Sequence, residues 1–101
     1  MRRANRRDDN HREVIDEFKR LNWQVLDTAD LKNAFDILVS KGGITICIEI
    51  KDGNKSPSQI KLTKGEEEFR ERWLGYYKIV KSIEQVQWLN AEWFFSNGLP
   101  R

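Results

Sequence analysis

The segment FDILVSKGGITICIEIK, residues 35–51, restricts the fold of this 101-residue chain more than any other. It contains two apolar runs, residues 35–39 and 44–51, joined by a short loop with two glycines. Runs rich in β-branched and aromatic residues predict strands, and so short a glycine-containing loop predicts an antiparallel hairpin. The remaining elements can be placed around this hairpin.

Before the hairpin, the sequence predicts one helix and one strand. Apolar residues recur at helical spacing within residues 9–21, which predicts an amphipathic helix. Asn10 followed by Glu13 resembles a capping box, so the helix is predicted to begin there. Residues 23–28, WQVLDT, predict a short strand.

After the hairpin, the sequence predicts a helix, a strand and a last helix. Thr63 with Glu66 forms a second capping-box pattern, and Gly75 is placed to end the helix. Residues 76–81 predict a strand, and Ser82 begins the last helix. The helix between the second hairpin strand and the last strand forms a crossover connection, so these two strands are predicted to pair in parallel with right-handed connectivity. The predicted fold is therefore α/β, with the order αβββαβα and a mixed four-stranded sheet flanked by helices.

Length and composition indicate one domain in the cytosol. The length fits a single domain over residues 9–96, with a basic arm at 1–8 and a tail at 97–101. Cys47 is the only cysteine, which excludes an internal disulfide and a cysteine-based zinc cluster. The first residues lack the apolar region of a secretory signal, and no run has the length of a membrane span.

The distribution of charge is more informative than the formal net charge of +2. Local basic clusters are the electrostatic footprint of phosphate binding, although a solvated arm and an ordinary polar loop explain them equally well. One cluster precedes the first helix or begins it, and the other follows the isoleucine-rich strand. They comprise Arg2, Arg3, Arg6, Arg7 and Arg12, and Lys51, Lys55, Lys61 and Lys64.

The hairpin carries the candidate chemistry. Side chains alternate along a strand, so Glu49 and Lys51 share the face opposite the isoleucines, and the hairpin places Asp36 across from Glu49. Two close carboxylates repel each other unless they share a cation or proton, and oxygen ligands suit Mg²⁺. The backbone carbonyl of Ile50 is a further candidate ligand, and Lys51 can orient water or stabilise developing negative charge. A cross-strand salt bridge on a solvated face is the alternative.

Five motifs in order resemble one enzyme family. DDNHREVI, FDILV, EIKDG, KLTKGEEEFRERWLG and KIVKS are similar to the signature of PD-(D/E)XK nucleases. More narrowly, they resemble the VRR-NUC (virus-type replication-repair nuclease) group, in its small stand-alone phage and bacterial form. The resemblance extends over residues 9–88, nearly the whole chain.

The resemblance implies a restriction-endonuclease-like core and a Mg²⁺-dependent DNA endonuclease, with Mn²⁺ as a substitute. Asp36 and Glu49 would be metal ligands, Lys51 the catalytic lysine, and Glu13 a further metal ligand unless it only caps the helix. The implied substrate is branched DNA such as a Holliday junction, cut by a homodimer in the cytoplasm of a bacterial or phage-infected cell. The alternatives are a non-catalytic nucleic-acid-binding module and, less favoured, a restriction- or mismatch-type nuclease. The DNA-contact candidates are Lys55, Lys61, Lys64, Arg6 and Arg7.

The chain departs from the family pattern at three positions. Phe35 precedes the aspartate where proline is usual, and Glu66 stands where glutamine is frequent, in a helix expected to face the metal site. His11 also replaces a frequent glutamine and is interpreted as a surface residue. The tryptophans are interpreted as core or dimer-interface residues; they are Trp23, Trp73, Trp88 and Trp93.

Overall fold

The computed structural model describes residues 10–31, 35–57 and 61–97. The predicted basic arm lies outside these residues, and the last helix includes Asn97, the first residue of the predicted tail. The predicted α/β class and element order are confirmed. The elements are α1 (His11–Arg20), β1 (Gln24–Asp27), β2 (Ile37–Lys41), β3 (Ile44–Ile50), α2 (Lys64–Arg72), β4 (Tyr76–Val80) and α3 (Ile83–Asn97).

The four strands form one sheet in the order β1-β2-β3-β4. β1 and β3 are both antiparallel to β2, which confirms the hairpin, and β4 is parallel to β3, which confirms the crossover. Lys41 pairs with Ile44, so the hairpin loop consists of Gly42 and Gly43 alone. Their φ angles are 58° and 86°, and a two-residue loop of this kind favours glycine because both central residues need positive φ.

The hairpin loop gives a matched pair of stability variants. A Cβ at Gly42 would lie 2.6 Å from Cζ2 of Trp93, whereas a Cβ at Gly43 would meet nothing within 4 Å. Both alanine variants are destabilised because a residue with a Cβ is disfavoured at positive φ, but only Gly42→Ala also overpacks a buried indole. Gly42→Ala should therefore be less stable than Gly43→Ala by about 1–3 kcal/mol in urea unfolding. Equal stabilities would show that the indole moves aside without cost.

The core lies between one face of the sheet and the helices α1 and α3. The isoleucines of β3 lie on this face and pack with apolar residues of both helices. The second face is open to α2, which buries no residue of its own. The buried apolar core comprises Val14, Ile15, Phe18, Trp23, Ile37, Val39, Ile46, Ile48, Ile50, Val80, Val86, Leu89 and Trp93.

α1 begins where it was predicted, with Asn10 as its N-cap residue, but the predicted capping bonds are not made. Asn10 makes no side-chain capping bond, so the first predicted capping box is wrong, whereas the box of Thr63 and Glu66 on α2 is confirmed. The Asn10 side-chain amide instead donates to the carbonyls of Lys51, at 3.2 Å, and Lys81, at 3.1 Å. These bonds fasten the first turn of α1 to the carboxyl ends of β3 and β4.

The tryptophans divide into two pairs. Trp23 and Trp93 are buried in the core, whereas Trp73 and Trp88 are exposed. The Trp73 indole donates to the carbonyl of Tyr76 at 3.0 Å, and a Cβ on Gly75 would lie 2.8 Å from its Nε1. Gly75 is thus needed for close approach to this ring, whereas the prediction made it the stop of α2, whose C-cap is Trp73. In the described ranges, no helix is both long and apolar enough to cross a membrane.

Candidate active site

The structure brings Asp36 and Glu49 together at the end of the hairpin. β2 starts at Ile37 and pairs it with Ile48, so Asp36 stands just before the strand and opposite Glu49. The backbone N–H of Asp36 donates to the Ile48 carbonyl at 3.0 Å, and its Oδ2 accepts from the N–H of Ile50 at 2.7 Å. Strand pairing and a backbone hydrogen bond therefore fix the Asp36 carboxylate. The Ile50 backbone lies at the site, and a ligand role for its carbonyl stays a prediction.

Glu49 is the most deeply buried carboxyl group of the described chain, with 2% of its surface exposed. Burial raises the pKa of Glu49 well above its usual range, and the charge of Asp36 and a hydrogen bond shared with Glu66 add to the effect. Burial also raises the pKa of Asp36, against smaller opposing influences from the Ile50 amide and Glu49. Ionising both carboxyl groups together is therefore unfavourable, because too little positive charge surrounds them.

Lys51 contacts two carboxyl groups. Its Nζ lies 3.5 Å from Oε2 of Glu49 and donates to Oε1 of Glu66 at 3.1 Å. Burial acts to raise the pKa of Glu66, but hydrogen bonds from Glu49, Thr63 and Lys51 outweigh it and leave that pKa lowered. Glu66 is therefore the ionised partner of the lysine. The expectation that α2 faces the site agrees with these contacts.

α2 covers the carboxyl groups and is held by few contacts. Glu66, in the first turn of α2, binds Lys51. The centroid of the Phe69 ring lies 5.6 Å from that of Phe35 and 6.1 Å from that of Tyr77. The hydroxyl of Tyr77 is buried and has no hydrogen-bond partner within the described ranges. Burial raises the pKa of Tyr77, and the charges of Glu49 and Glu66 raise it further, so the phenol belongs to the same electrostatic environment.

Glu13 and His11 of the first helix lie in surroundings other than those predicted for them. Glu13 is exposed and lines a cavity with Asp52 and Glu84, away from the carboxyl cluster, so the structure does not bring it into the predicted metal site. His11, predicted to lie on the surface, is 5% exposed, and its Nε2 lies 3.4 Å from Oδ2 of Asp27. His11 shares the buried face of α1 with Val14 and Phe18, one and two helical turns further on, whereas Glu13 lies on the exposed face.

The predicted DNA contacts are solvent-exposed where the structure describes them. Lys55 and Lys61 lie in the segment between β3 and α2, and Lys64 is the first residue of α2. All three follow Lys51 in the chain and precede or begin the helix that carries Glu66. Arg6 and Arg7 lie outside the described residues.

The donor set fits a hard divalent cation held largely by water and substrate. In the described part of the chain, no three His, Cys, Asp or Glu side chains stand close enough to hold a metal ion together. Mg²⁺ usually takes only one or two carboxylates and fills its remaining positions with water and phosphate oxygens. Asp36 and Glu49 match that requirement, because they offer carboxylate oxygens side by side and because their raised pKa values show that little positive charge surrounds them.

Tyr77 belongs to this environment, and it could have been found only from the register of the sheet. Tyr77 pairs with Cys47, two residues before Glu49 on the same face of β3. That parallel register is not encoded in any local pattern. His11 was visible as a departure from the family motif, but its burial depends on how α1 packs over β1.

Comparison of the chain with family models, curated proteins and solved structures finds no match. The resemblance of its motifs to the VRR-NUC group therefore stays a prediction.

Proposed function

We propose that this protein is a metal-dependent DNA endonuclease that hydrolyses phosphodiester bonds in branched DNA such as Holliday junctions. It would act as a homodimer in the cytoplasm of a bacterial or phage-infected cell. The observation that carries the proposal is the cluster of half-buried Asp36 with buried Glu49 and Lys51, in which burial raises the pKa of both carboxyl groups. Perturbed carboxyl groups beside a lysine are typical of catalytic sites.

The residues of the cluster have separate roles in the proposed reaction. Asp36 and Glu49 would hold Mg²⁺ or Mn²⁺, which supplies positive charge to the scissile phosphate and acidifies a water molecule. Lys51 would stabilise negative charge on the phosphate or orient the attacking water. Its contacts at 3.1 Å and 3.5 Å with Glu66 and Glu49 hold the ammonium group beside the metal ligands.

A non-catalytic nucleic-acid-binding module is the second candidate. It is favoured by two observations: no three metal-ligating side chains stand together in the described residues, and Lys51 is only 8% exposed. A module of this kind would keep the exposed lysines of the loop for phosphate contacts and would use the buried cluster only for packing.

A cleavage assay separates the two candidates. Untagged protein is incubated with four-way junction, flap, duplex and single-stranded DNA of matched sequence, in Mg²⁺, Mn²⁺ or chelator. We expect cleavage of the four-way junction that requires the metal ion and leaves plain duplex largely intact. Asp36→Asn keeps the size of the side chain and an acceptor for the Ile50 amide, so it serves as the folded, inactive control.

Each outcome of the assay decides one part of the proposal. Binding without metal-dependent cleavage would favour the module. Equal cleavage of duplex and junction would retain the nuclease and refute the branched substrate. Activity that persists in Asp36→Asn would mean that the reaction occurs elsewhere or comes from a contaminant.

A further inference from the structure

Arg70 lies on the face of α2 that covers the carboxyl groups. Residues three and four apart on a helix are neighbours, so Glu66, Phe69 and Arg70 share one face. Glu66 accepts a hydrogen bond from Lys51 at 3.1 Å. The centroid of the Phe69 ring lies 6.1 Å from that of Tyr77. The register of α2 therefore places Arg70 one turn beyond the residue that contacts the proposed catalytic lysine.

The guanidinium group of Arg70 is held over the ring of Tyr77. Its Cζ atom lies 5.8 Å from the ring centroid, within the range of a cation–π contact. Burial raises the pKa of the Tyr77 phenol, the charges of Glu49 and Glu66 raise it further, and the charge of Arg70 acts to lower it. The ring therefore lies between the carboxyl groups and the guanidinium, which puts Arg70 at the edge of the candidate site.

The positive charge of Arg70 is not neutralised by any carboxylate of the described residues. The side chain is exposed and makes no ion pair within the described ranges. Arg20 differs, because its guanidinium donates two hydrogen bonds to Glu17. Lys51 differs as well, because it is buried and contacts two carboxyl groups. Arg70 thus offers an exposed and oriented guanidinium to an anion that approaches the site.

We propose that Arg70 binds the DNA phosphate next to the scissile one and positions the strand in the site. A guanidinium matches a phosphate group in shape and can donate two parallel hydrogen bonds to it. Arg70 follows Glu66 by about 6 Å along the helix axis, so its anion neighbours the phosphate that Lys51 would meet. The inference rests on the proposed function and names a residue that holds the backbone of the substrate.

The salt dependence of DNA binding isolates a phosphate contact. Affinity for a four-way junction is measured by fluorescence anisotropy in chelator, at salt concentrations from about 50 to 200 mM. Arg70→Ala should weaken binding about tenfold at low salt and reduce the slope of log affinity against log salt by about 1. Arg72→Ala removes the same charge from an exposed residue on another side of α2, so it is the matched control and should keep the wild-type slope.

Two variants at Tyr77 test whether the ring holds the guanidinium in place. Tyr77→Phe keeps the ring face and should bind DNA as tightly as the wild type. Tyr77→Leu removes the ring and should weaken binding by a smaller factor than Arg70→Ala. Once Arg70 is alanine, Tyr77→Leu should have no further effect, because both substitutions act on one contact. Losses that add in the double variant would refute this role of the ring.

Cleavage kinetics separate binding of the neighbouring phosphate from the chemical step. Because that phosphate does not react, Arg70→Ala should raise KM about tenfold and lower the single-turnover rate at saturating DNA by a much smaller factor. Arg70→Lys keeps the charge but loses the bidentate geometry, so its KM should lie between those of the wild type and Arg70→Ala.

The outcomes distinguish this inference from the proposed function. Equal effects of Arg70→Ala and Arg72→Ala on affinity and salt slope would overturn the phosphate contact, even if the wild type cleaves junctions. A loss confined to the rate at saturating DNA would also overturn it, because Arg70 would then act on the reacting phosphate. Binding that depends on Arg70 without any cleavage would support the contact and refute the enzyme. A wild type that binds no DNA at low salt would refute both.

Discussion

If the proposed cleavage occurs, Lys51→Ala should reduce it about 100-fold or more, because the substitution removes the positive charge proposed to stabilise the developing charge on the phosphate. The Nζ atom lies 3.5 Å from Glu49 and 3.1 Å from Glu66, so its position is fixed before substrate arrives. The single-turnover rate at saturating DNA is the measurement, because it isolates the chemical step from binding. Circular dichroism and thermal unfolding establish that the variant is folded.

A second substitution at Lys51 separates its two possible roles. Lys51→Arg keeps the charge but cannot give up a proton in the accessible pH range. Partial activity of Lys51→Arg would assign charge stabilisation to the lysine, whereas a loss as large as that of Lys51→Ala would assign proton transfer or strict positioning. Lys19→Ala, which removes an exposed lysine near the C-terminus of α1, is the matched control for overall charge. Near-full activity of Lys51→Ala would refute the site assignment.

The fold could be predicted from local patterns because each element carries its own signal. The two-glycine loop predicted the hairpin, and the hairpin register in turn placed Asp36 opposite Glu49. The capping box of Thr63 and Glu66 correctly predicted the beginning of α2. These features depend on residues close together in the sequence, where turn geometry and side-chain alternation fix the outcome.

The errors arose where packing between distant elements outweighed a local preference. Asn10 has the chemistry of a helix cap, but two strand-end carbonyls more than forty residues away take its amide hydrogens. His11 is polar and lies on a helix, yet it is buried against Asp27 of β1. Glu13 lies on the exposed face of α1, whereas His11 lies on the face that packs over the sheet.

Glu66 shows how one residue can satisfy a local and a distant requirement together. Its carboxylate completes the capping box by accepting from the backbone N–H of Thr63 at 2.9 Å, and the same Oε1 accepts from Lys51 at 3.1 Å. The capping role could be predicted from the sequence. The distant role follows only because α2 lies across the open face of the sheet, where its first turn meets Lys51.

Glu49→Gln should make the metal-free protein more stable although it removes a proposed metal ligand. Burial, the Asp36 charge and the shared hydrogen bond raise the folded-state pKa of Glu49 above its ordinary value of 4.5. The folded protein therefore keeps a proton that the unfolded chain releases, so the stability of the wild type falls as pH rises from that ordinary value toward the raised pKa. Glutamine has nothing to release and still donates hydrogen bonds.

The expected gain is about 1–4 kcal/mol near pH 8, comparable to replacing other buried charged groups by neutral ones of similar shape. It should shrink toward zero below about pH 4, where the wild-type carboxyl is protonated in both states. Urea unfolding in chelator across this pH range is the measurement. Glu71→Gln, an exposed glutamate of α2, is the matched control and should show no such pH-dependent gain.

Addition of a divalent metal ion should reverse the order of the two proteins. A ligand that binds only the folded state stabilises it, so saturating Mg²⁺ or Mn²⁺ should raise the stability of the wild type but not that of Glu49→Gln. The wild type would then be less stable than Glu49→Gln without metal and more stable with it, as expected if Glu49 is a metal ligand. If Glu49→Gln is less stable than the wild type at pH 8 in chelator, Glu49 is an ordinary structural partner of Lys51 and the carboxyl pair has no need of a metal.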